Sequence, residues 1–339
     1  MSDHTRVLRK MESVTTISTE ELFQGKFNRR GYLRVLLEVF ILLNYLKNSS
    51  TTHLITVGPK CGFLAVLCSF FSKVKIFHWF TGQVWSSRKK IVKISYWADK
   101  IIFILAHQTG CDSLSQKHFL SSNAKIFTLV PGLGSMESAS PIGREEIEKK
   151  QEKIVKKNSL RVGFLGRLTK EKGIDFIYNL AIYTSKNYPD NKVTFLICGP
   201  HDEFGGISKA EIDKFNSCNN ICLEVGFIDS SYFFSKIDVL IMPSSREGFC
   251  STVLEAQSHG VPALVSNIYG LKESSLDGVT SLGFDVGDFE VASEYLDWFY
   301  NDKTVLSAFS YNAVQYSKKF SRERYDRSLS DIYRIFLSI

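Results

Sequence analysis

The chain is 339 residues long, 44% hydrophobic and 23% charged, with a formal net charge of +7, enough material for two domains with ordinary buried cores. Its longest apolar run, "VLLEVFILLNYL" (35–46), contains Glu38 and falls short of the about 20 apolar residues a membrane-spanning helix needs; the start, "MSDHTRVLRK", does not lead into the apolar core of a secretory signal. The seven cysteines have no C-x-x-C pair and read as reduced thiols used as small apolar residues, while Cys218 and Cys222 lack a nearby histidine to complete a zinc set.

The charge is uneven along the chain. Residues 1–150 hold 21 Lys and Arg against 11 Asp and Glu, a balance of +10, and the rest hold 21 against 24, a balance of −3. The clusters "KFNRR" (26–30) and "SSRKKIVK" (86–93) are interleaved with Phe, Trp and Leu. They fit a basic, aromatic face toward an anionic membrane surface, or equally a solvated basic surface. No nucleic-acid recognition motif is present, so nucleic acid is not expected as a partner.

In chain order, helix-period and strand-like segments alternate, the pattern of an α/β fold with parallel sheets. In the first half, strands are predicted at 53–58, 75–80, 100–105 ("KIIFIL") and 124–130, with helices at about 32–47, 62–72, 88–97 and 112–121. The polar stretch that follows predicts an interdomain connection, 141–158, with one solvated helix. Further strands are expected at 160–168, 192–199, 221–227, 238–244, 262–266 and 282–285. Each ends in or near Gly, Pro or Ser, where open parallel sheets bind ligands. From about 291 to the end the chain reads as helical. The boundaries are thus 1–140 for an N-terminal domain, 159–320 for a C-terminal domain, and 321–339 for a last helix that returns to the first domain.

Two stretches carry chemistry. "GFLGRLTKEKGID" (163–175) leaves a strand through a Gly-containing turn that presents Arg167 and then Lys172. A planar guanidinium fork and a compact ammonium suit the oxygens of a diphosphate, and two exposed loop cations are the plain alternative. The absence of G-x-G-x-x-G and of a Walker loop speaks against dinucleotide and P-loop chemistry. "SSREGFCSTVLEAQSHGVPALVS" (244–266) places Glu247 in a loop and Glu255 about one turn into a helix that starts near Ser251. The backbone N–H groups from Phe249 through Cys250 and Ser251 to Thr252 then face out of a helix N-terminus, which favours phosphate. On its own, Glu255 also reads as an acid complementing the helix dipole.

"GRLTKEKG" and "EGFCSTVLEAQSHGVPALVS" resemble the two C-terminal signatures of retaining GT-B glycosyltransferases of the large family four, with its Glu-seven-residues-Glu motif. "GPKCGFL" (58–64), "FTGQVW" (80–85) and "DSLSQKHFL" (112–120) are similar to motifs of its bacterial O-antigen and capsular-polysaccharide members. The similarity covers roughly residues 50–335.

The resemblance implies two Rossmann-like domains facing a cleft and transfer of a sugar, with retention, from a nucleotide-diphosphate sugar, UDP-sugar favoured. The acceptor it implies is a growing polyprenyl-diphosphate-linked oligosaccharide at the cytoplasmic face of the membrane, with no metal or other cofactor. By the same resemblance Arg167 and Lys172 hold the diphosphate, Glu247 the transferred sugar and Glu255 the ribose. Gly248, Phe249, Cys250, Ser251 and Thr252 line phosphate and sugar, and the segment opening with Gly226 and Phe227 covers the base. Many relatives carry an H-T-x-H-G-like turn that contacts the sugar; in "HWFTG" His78 stands at the first position and Thr81, followed by Gly82, where the second histidine would be. About 50 residues precede "HLITVG", without the Gly-rich loop with which such domains open, so the N-terminal domain reads as shortened. That departure keeps open a catalytically impaired relative that binds nucleotide sugar or a partner protein. A glycoside hydrolase using Glu247 and Glu255 as its carboxylate pair leaves Arg167 and Lys172 without a role.

Overall fold

A computed structural model describes Met11 and residues 32–80, 91–111, 126–128, 141–187, 192–202, 206–320 and 322–338. The chain divides into two compact units, one of residues 1–134 with 323–339 and the other of residues 135–322.

The first unit is built on a parallel sheet of four described strands, β1 (His53–Val57), β2 (Lys75–Phe80), β3 (Gln108–Cys111) and β4 (Ile126–Thr128), in that spatial order. Helices α1 (Tyr32–Asn48), α2 (Pro59–Ser69) and α3 (Ile91–Leu105) precede β1, β2 and β3. β2 shows why they pack as they do. Alternate residues of a strand face opposite ways: Ile76 and Phe80 pack with Ala65, Val66 and Ile102, whereas Phe77 and Trp79 join a separate cluster. That cluster is completed by Tyr325, Leu329, Ile332, Tyr333 and Phe336 of the chain's last helix. The apolar run at 35–46 lies within α1, and its Glu38, 1% exposed, meets Lys60 at 2.6 Å. That ammonium offsets the cost of burying a carboxylate.

One sequence expectation fails here. "KIIFIL" (100–105) is the end of α3, and the strand is "QTGC". The apolar run has high strand propensity, but Asp99, Ile102 and Ala106 are buried and Ile101 and Ile104 exposed, which is helical spacing. Gly110 in β3 earns its place by size, because a Cβ there would lie 2.1 Å from the Trp79 ring. The expected helix at 112–121 lies outside the described residues. The expectation of missing first elements falls on 1–31, of which Met11 alone is described.

The second unit holds a six-stranded parallel sheet, β5 (Leu160–Leu165), β6 (Val193–Gly199), β7 (Ile221–Val225), β8 (Val239–Met242), β9 (Ala263–Ser266) and β10 (Ser281–Phe284), ordered β10-β9-β8-β5-β6-β7. All six were legible as apolar runs. The segment 141–158 is not a solvated connection: its helix α4 (Arg144–Val155) buries Ile147 and Ile154, spaced to share one face, and belongs to this unit. Its polar composition hides that face from the sequence. The remaining helices are α5 (Ile174–Asn187), α6 (Lys209–Asn216), α7 (Ser230–Lys236), α8 (Ser251–Ser258), α9 (Tyr269–Lys272), α10 (Phe289–Asn301), α11 (Lys303–Ser317) and α12 (Arg322–Leu337), the last of which supplies the side chains against Phe77 and Trp79.

Candidate active site

The chain runs β5, β6, β7 outward in one direction and then returns to lay β8 on the other side of β5. Between β5 and β8 the sheet order reverses, and it is outside the carboxyl ends of strands at such a reversal that open α/β sheets bind ligands. The candidate residues of both signature stretches leave these two strands.

The loop after β5 is held to its neighbours by close backbone approaches. Gly166 N–H donates to Cys198 O at 3.1 Å. Gly173, at φ +77°, lies so near β8 that a Cβ would sit 2.4 Å from Pro243 O. Both the dihedral and the space require glycine. The loop after β8 is tied back by Ser245 N–H, which donates to Glu171 O at 2.9 Å, and by an Arg246–Glu171 ion pair of 2.8 Å.

These ties bring Lys172 and Glu247 together. Lys172 Nζ donates to Glu247 Oε1 at 2.5 Å, and the buried hydroxyl of Ser244 donates to the same oxygen at 2.8 Å. The two charged side chains are 20% and 10% exposed, so the pair is largely shielded from water. Ser266 Oγ in turn donates to Ser244 O at 2.5 Å, fixing the loop from β9. Gly270 packs beneath it, where a Cβ would meet Gly248 O at 2.3 Å and Glu247 O at 2.7 Å.

Cys250 follows as the residue before α8. Burial first, and Glu247 second, push its thiol up to about 12, so it stays protonated and is no nucleophile. No side-chain oxygen caps the N-terminus of α8, which begins at Ser251 and Thr252; Ser251 N–H donates to Phe249 O at 3.2 Å, and the Thr252 and Val253 N–H groups point at the Cys250 sulfur, a weak acceptor that a phosphate oxygen can replace. Phe249 stacks obliquely near Phe320, ring centroids 6.4 Å apart. Glu255 lies in the second turn of α8 and accepts from Ser230 Oγ at 2.5 Å. Ser230 opens α7, directly after the loop from β7. In that loop Gly226, at φ +139°, donates to Gly199 O at 2.9 Å, and Phe227 is 95% exposed.

Arg167 is placed differently from Lys172. Its guanidinium pairs with Asp202, beyond β6, at 2.6 Å and is half exposed. His78 is 1% exposed inside β2, with Nδ1 sharing a 2.9 Å hydrogen bond with Thr56 and its ring edge-on to Phe80. Burial lowers its pKa to about 4. It is a core residue and presents nothing to a ligand. Thr81 and Gly82 lie outside the described residues.

Sequence reasoning missed Ser244, Ser230, Asp202 and Arg246, single polar residues with no spacing signature. It also missed Lys150, whose half-buried ammonium donates to His259 O at 2.8 Å, at the carboxyl end of α8. A cation there complements the negative end of the helix dipole.

A family model, "Glycosyl transferases group 1", matches residues 145–316, the stretch that contains the six-stranded sheet β5–β10 and both loops that carry Arg167, Lys172, Glu247 and Glu255. The Staphylococcus aureus capsular polysaccharide biosynthesis glycosyltransferase CapM is 26% identical over 327 residues, covering 90% of this chain and 81% of CapM. The Escherichia coli O-antigen biosynthesis glycosyltransferase WclY is 34% identical over 115 residues, 33% of this chain and 30% of its own.

Among solved structures, the sucrose-phosphate synthase of Thermosynechococcus elongatus superposes with a TM-score of 0.73 at 16% identity, covering 96% of this chain and 82% of that one. Anabaena HepE, solved with UDP-glucose, gives 0.70 at 16% identity, covering 90% and 84%. These likenesses extend over both α/β units, as the GT-B fold requires. With a family model spanning half the sequence and the two signature stretches at adjacent strand ends, the chain belongs to the glycosyl transferases group 1 family.

Proposed function

We propose that this chain transfers a sugar, with retention of anomeric configuration, from a nucleotide-diphosphate sugar to a lipid-linked oligosaccharide in the assembly of O-antigen or capsular polysaccharide. The observation that carries the reading is the Lys172–Glu247 pair at the β5/β8 switch point. A carboxylate held through one oxygen by an ammonium and a buried hydroxyl has its other oxygen, Oε2, left to accept from a sugar hydroxyl. The same ammonium stands ready for the adjoining phosphate.

Arg167 closes on the diphosphate from the β5 loop, exchanging Asp202 for phosphate oxygens. The positive end of the α8 dipole, with the Thr252 and Val253 N–H groups exchanging the Cys250 sulfur for phosphate oxygen, adds to it. Glu255, steadied by Ser230, accepts from the ribose hydroxyls, and the loop of Gly226 and Phe227 covers the base. In the transfer the bond from the anomeric carbon to the β-phosphate oxygen breaks while the acceptor oxygen bonds to the same face. The acceptor proton passes to the departing phosphate. The charge that develops on the nucleoside diphosphate is met by Arg167, Lys172 and the helix end, an electrostatic contribution that is usually large, so the scheme uses no metal. The choice of UDP is supported by HepE, solved with UDP-glucose, and the polysaccharide assignment by the names of CapM and WclY. A lipid-linked acceptor places the enzyme peripherally on the cytoplasmic face of an anionic membrane.

Calorimetric titration with UDP and GDP, run on the parent protein and on Arg167→Ala, tests the donor site. UDP is expected to bind and to raise the thermal midpoint, as any ligand selective for the folded state must, and the variant is expected to bind about tenfold or more weakly. If neither nucleotide binds, the donor site is wrong and the chain is a relative that serves as a partner-binding protein.

A further inference from the structure

We infer that the outward face of α3, with the turn after α2, docks on an anionic lipid bilayer. This deepens the membrane element of the proposed function and names the surface responsible. A helix packed on a sheet ordinarily turns a polar face to solvent. α3 does not. Its inward face buries Asp99, Ile102 and Ala106, while Trp97 (64% exposed), Ile101 (42%), Ile104 (69%) and Leu105 (37%) recur at three- and four-residue spacing on the other side.

The patch continues onto a second element. His107 N–H donates to Ile76 O at 3.0 Å, so the end of α3 lies beside the start of β2, a few residues after Phe70 and Phe71, which are 65% and 68% exposed. Ile104 and Leu105 thus lie at the same end of this unit as Phe70 and Phe71, and Trp97 and Ile101 continue the apolar stripe up α3. Contiguous exposure of that kind marks an interaction surface rather than scattered surface residues.

Charge selects the occupant. Across 59–111 the single acid, Asp99, is buried, and the cations whose side chains are described are Lys60, paired with Glu38, and Lys73, Lys75 and Lys100. Lys73 lies in the same turn as Phe71, and Lys100 is one residue from Ile101 on the same helix. A second copy docked through this face would set two such basic rims against each other. An anionic headgroup layer neutralises them while the Trp and aliphatic side chains enter the boundary of the acyl region, the division of labour of an interfacial helix.

The experiment is sedimentation of the full chain with phosphatidylcholine vesicles, with and without phosphatidylglycerol, at low and raised salt. The chain is expected to sediment with the anionic vesicles, less so as salt rises, and the double variant Ile101→Gln/Ile104→Gln to bind them about tenfold or more weakly. Trp298→Ala, an exposed aromatic of the other unit, is expected to bind like the parent. Both substituted isoleucines are exposed, and an unchanged far-ultraviolet spectrum and melting temperature establish that the variant is folded. Its UDP titration, expected to match the parent, keeps this surface separate from the donor site. Undiminished sedimentation of the double variant overturns the assignment. So does a parent that ignores anionic vesicles but forms a dimer that the double variant dissolves, which would assign the face to a second copy of this chain.

Discussion

Glu247 is held from two sides before any ligand arrives, and its value as a site residue lies in that restraint. Ser244 and Lys172 both reach Oε1, which orients the carboxylate plane and, in the proposed function, fixes where a sugar hydroxyl would be met. An alanine there would leave Lys172 as a largely buried, uncompensated cation, and breaking such a pair costs stability as well as function. Glu247→Gln is the cleaner variant, since it keeps the size and one acceptor oxygen. Transfer is expected to fall by about a hundredfold or more while UDP affinity changes little, as for a group whose contact strengthens in the transition state. Near-normal turnover in E247Q, measured with a lipid-linked acceptor, would remove Glu247 from the site. Glu247 and Glu255 stand out in the sequence because their spacing matches a signature. Ser244, Ser230 and Asp202 were not, because a lone serine or aspartate becomes a partner through the approach of distant strand ends.

At the scale of elements, the site is a stack of loops with glycines at their closest approaches. Gly173 fits under Pro243, and Gly270 under the carbonyls of Glu247 and Gly248. Gly270→Ala therefore inserts a methyl against backbone that cannot rotate away, with an expected loss of about 1–3 kcal/mol from overpacking. The displaced loop carries Glu247, so donor-sugar affinity should fall along with the chemical-denaturation midpoint; a drop in neither would show that the loop yields freely. α3 gives the opposite lesson about legibility. Its Ile- and Phe-rich end reads as a strand because β-branched and aromatic residues have high strand propensity, and propensity yields to tertiary context. The burial of every third or fourth residue decides for helix, and burial is a property of the packed chain.

At the scale of the molecule, the chain's final helix belongs to the unit formed by its beginning: Tyr325, Leu329 and Tyr333 pack with Phe77 and Trp79 of β2. On the opposite side of the same strand lies His78, with burial holding its pKa down to about 4. The histidine is neutral in the fold and takes up a proton near pH 6.5 when unfolded. Between those values the unfolded state binds more protons, so stability is complete above about pH 6.5 and is lost as pH falls toward 4, by up to about 3 kcal/mol. Denaturant unfolding followed from pH 7 to pH 5 should show this loss in the parent and a flatter profile in His78→Asn. Equal slopes would mean that the imidazole is already solvated in the fold.

The sequence by itself determined the α/β class, the six strands of the second unit, the helical tail and the signature residues Arg167, Lys172, Glu247 and Glu255. Each of these is local: a run of apolar residues, a period, or a spacing within one loop and the helix that follows it. The tertiary structure decided the rest. It made the 141–158 segment a packed helix, moved a predicted strand into α3, buried His78, and placed Lys172 against Glu247. Those outcomes depend on which strands become neighbours. The reversal of sheet order at β5 and β8 brings together loops about 75 residues apart, and no pattern within either loop encodes the meeting.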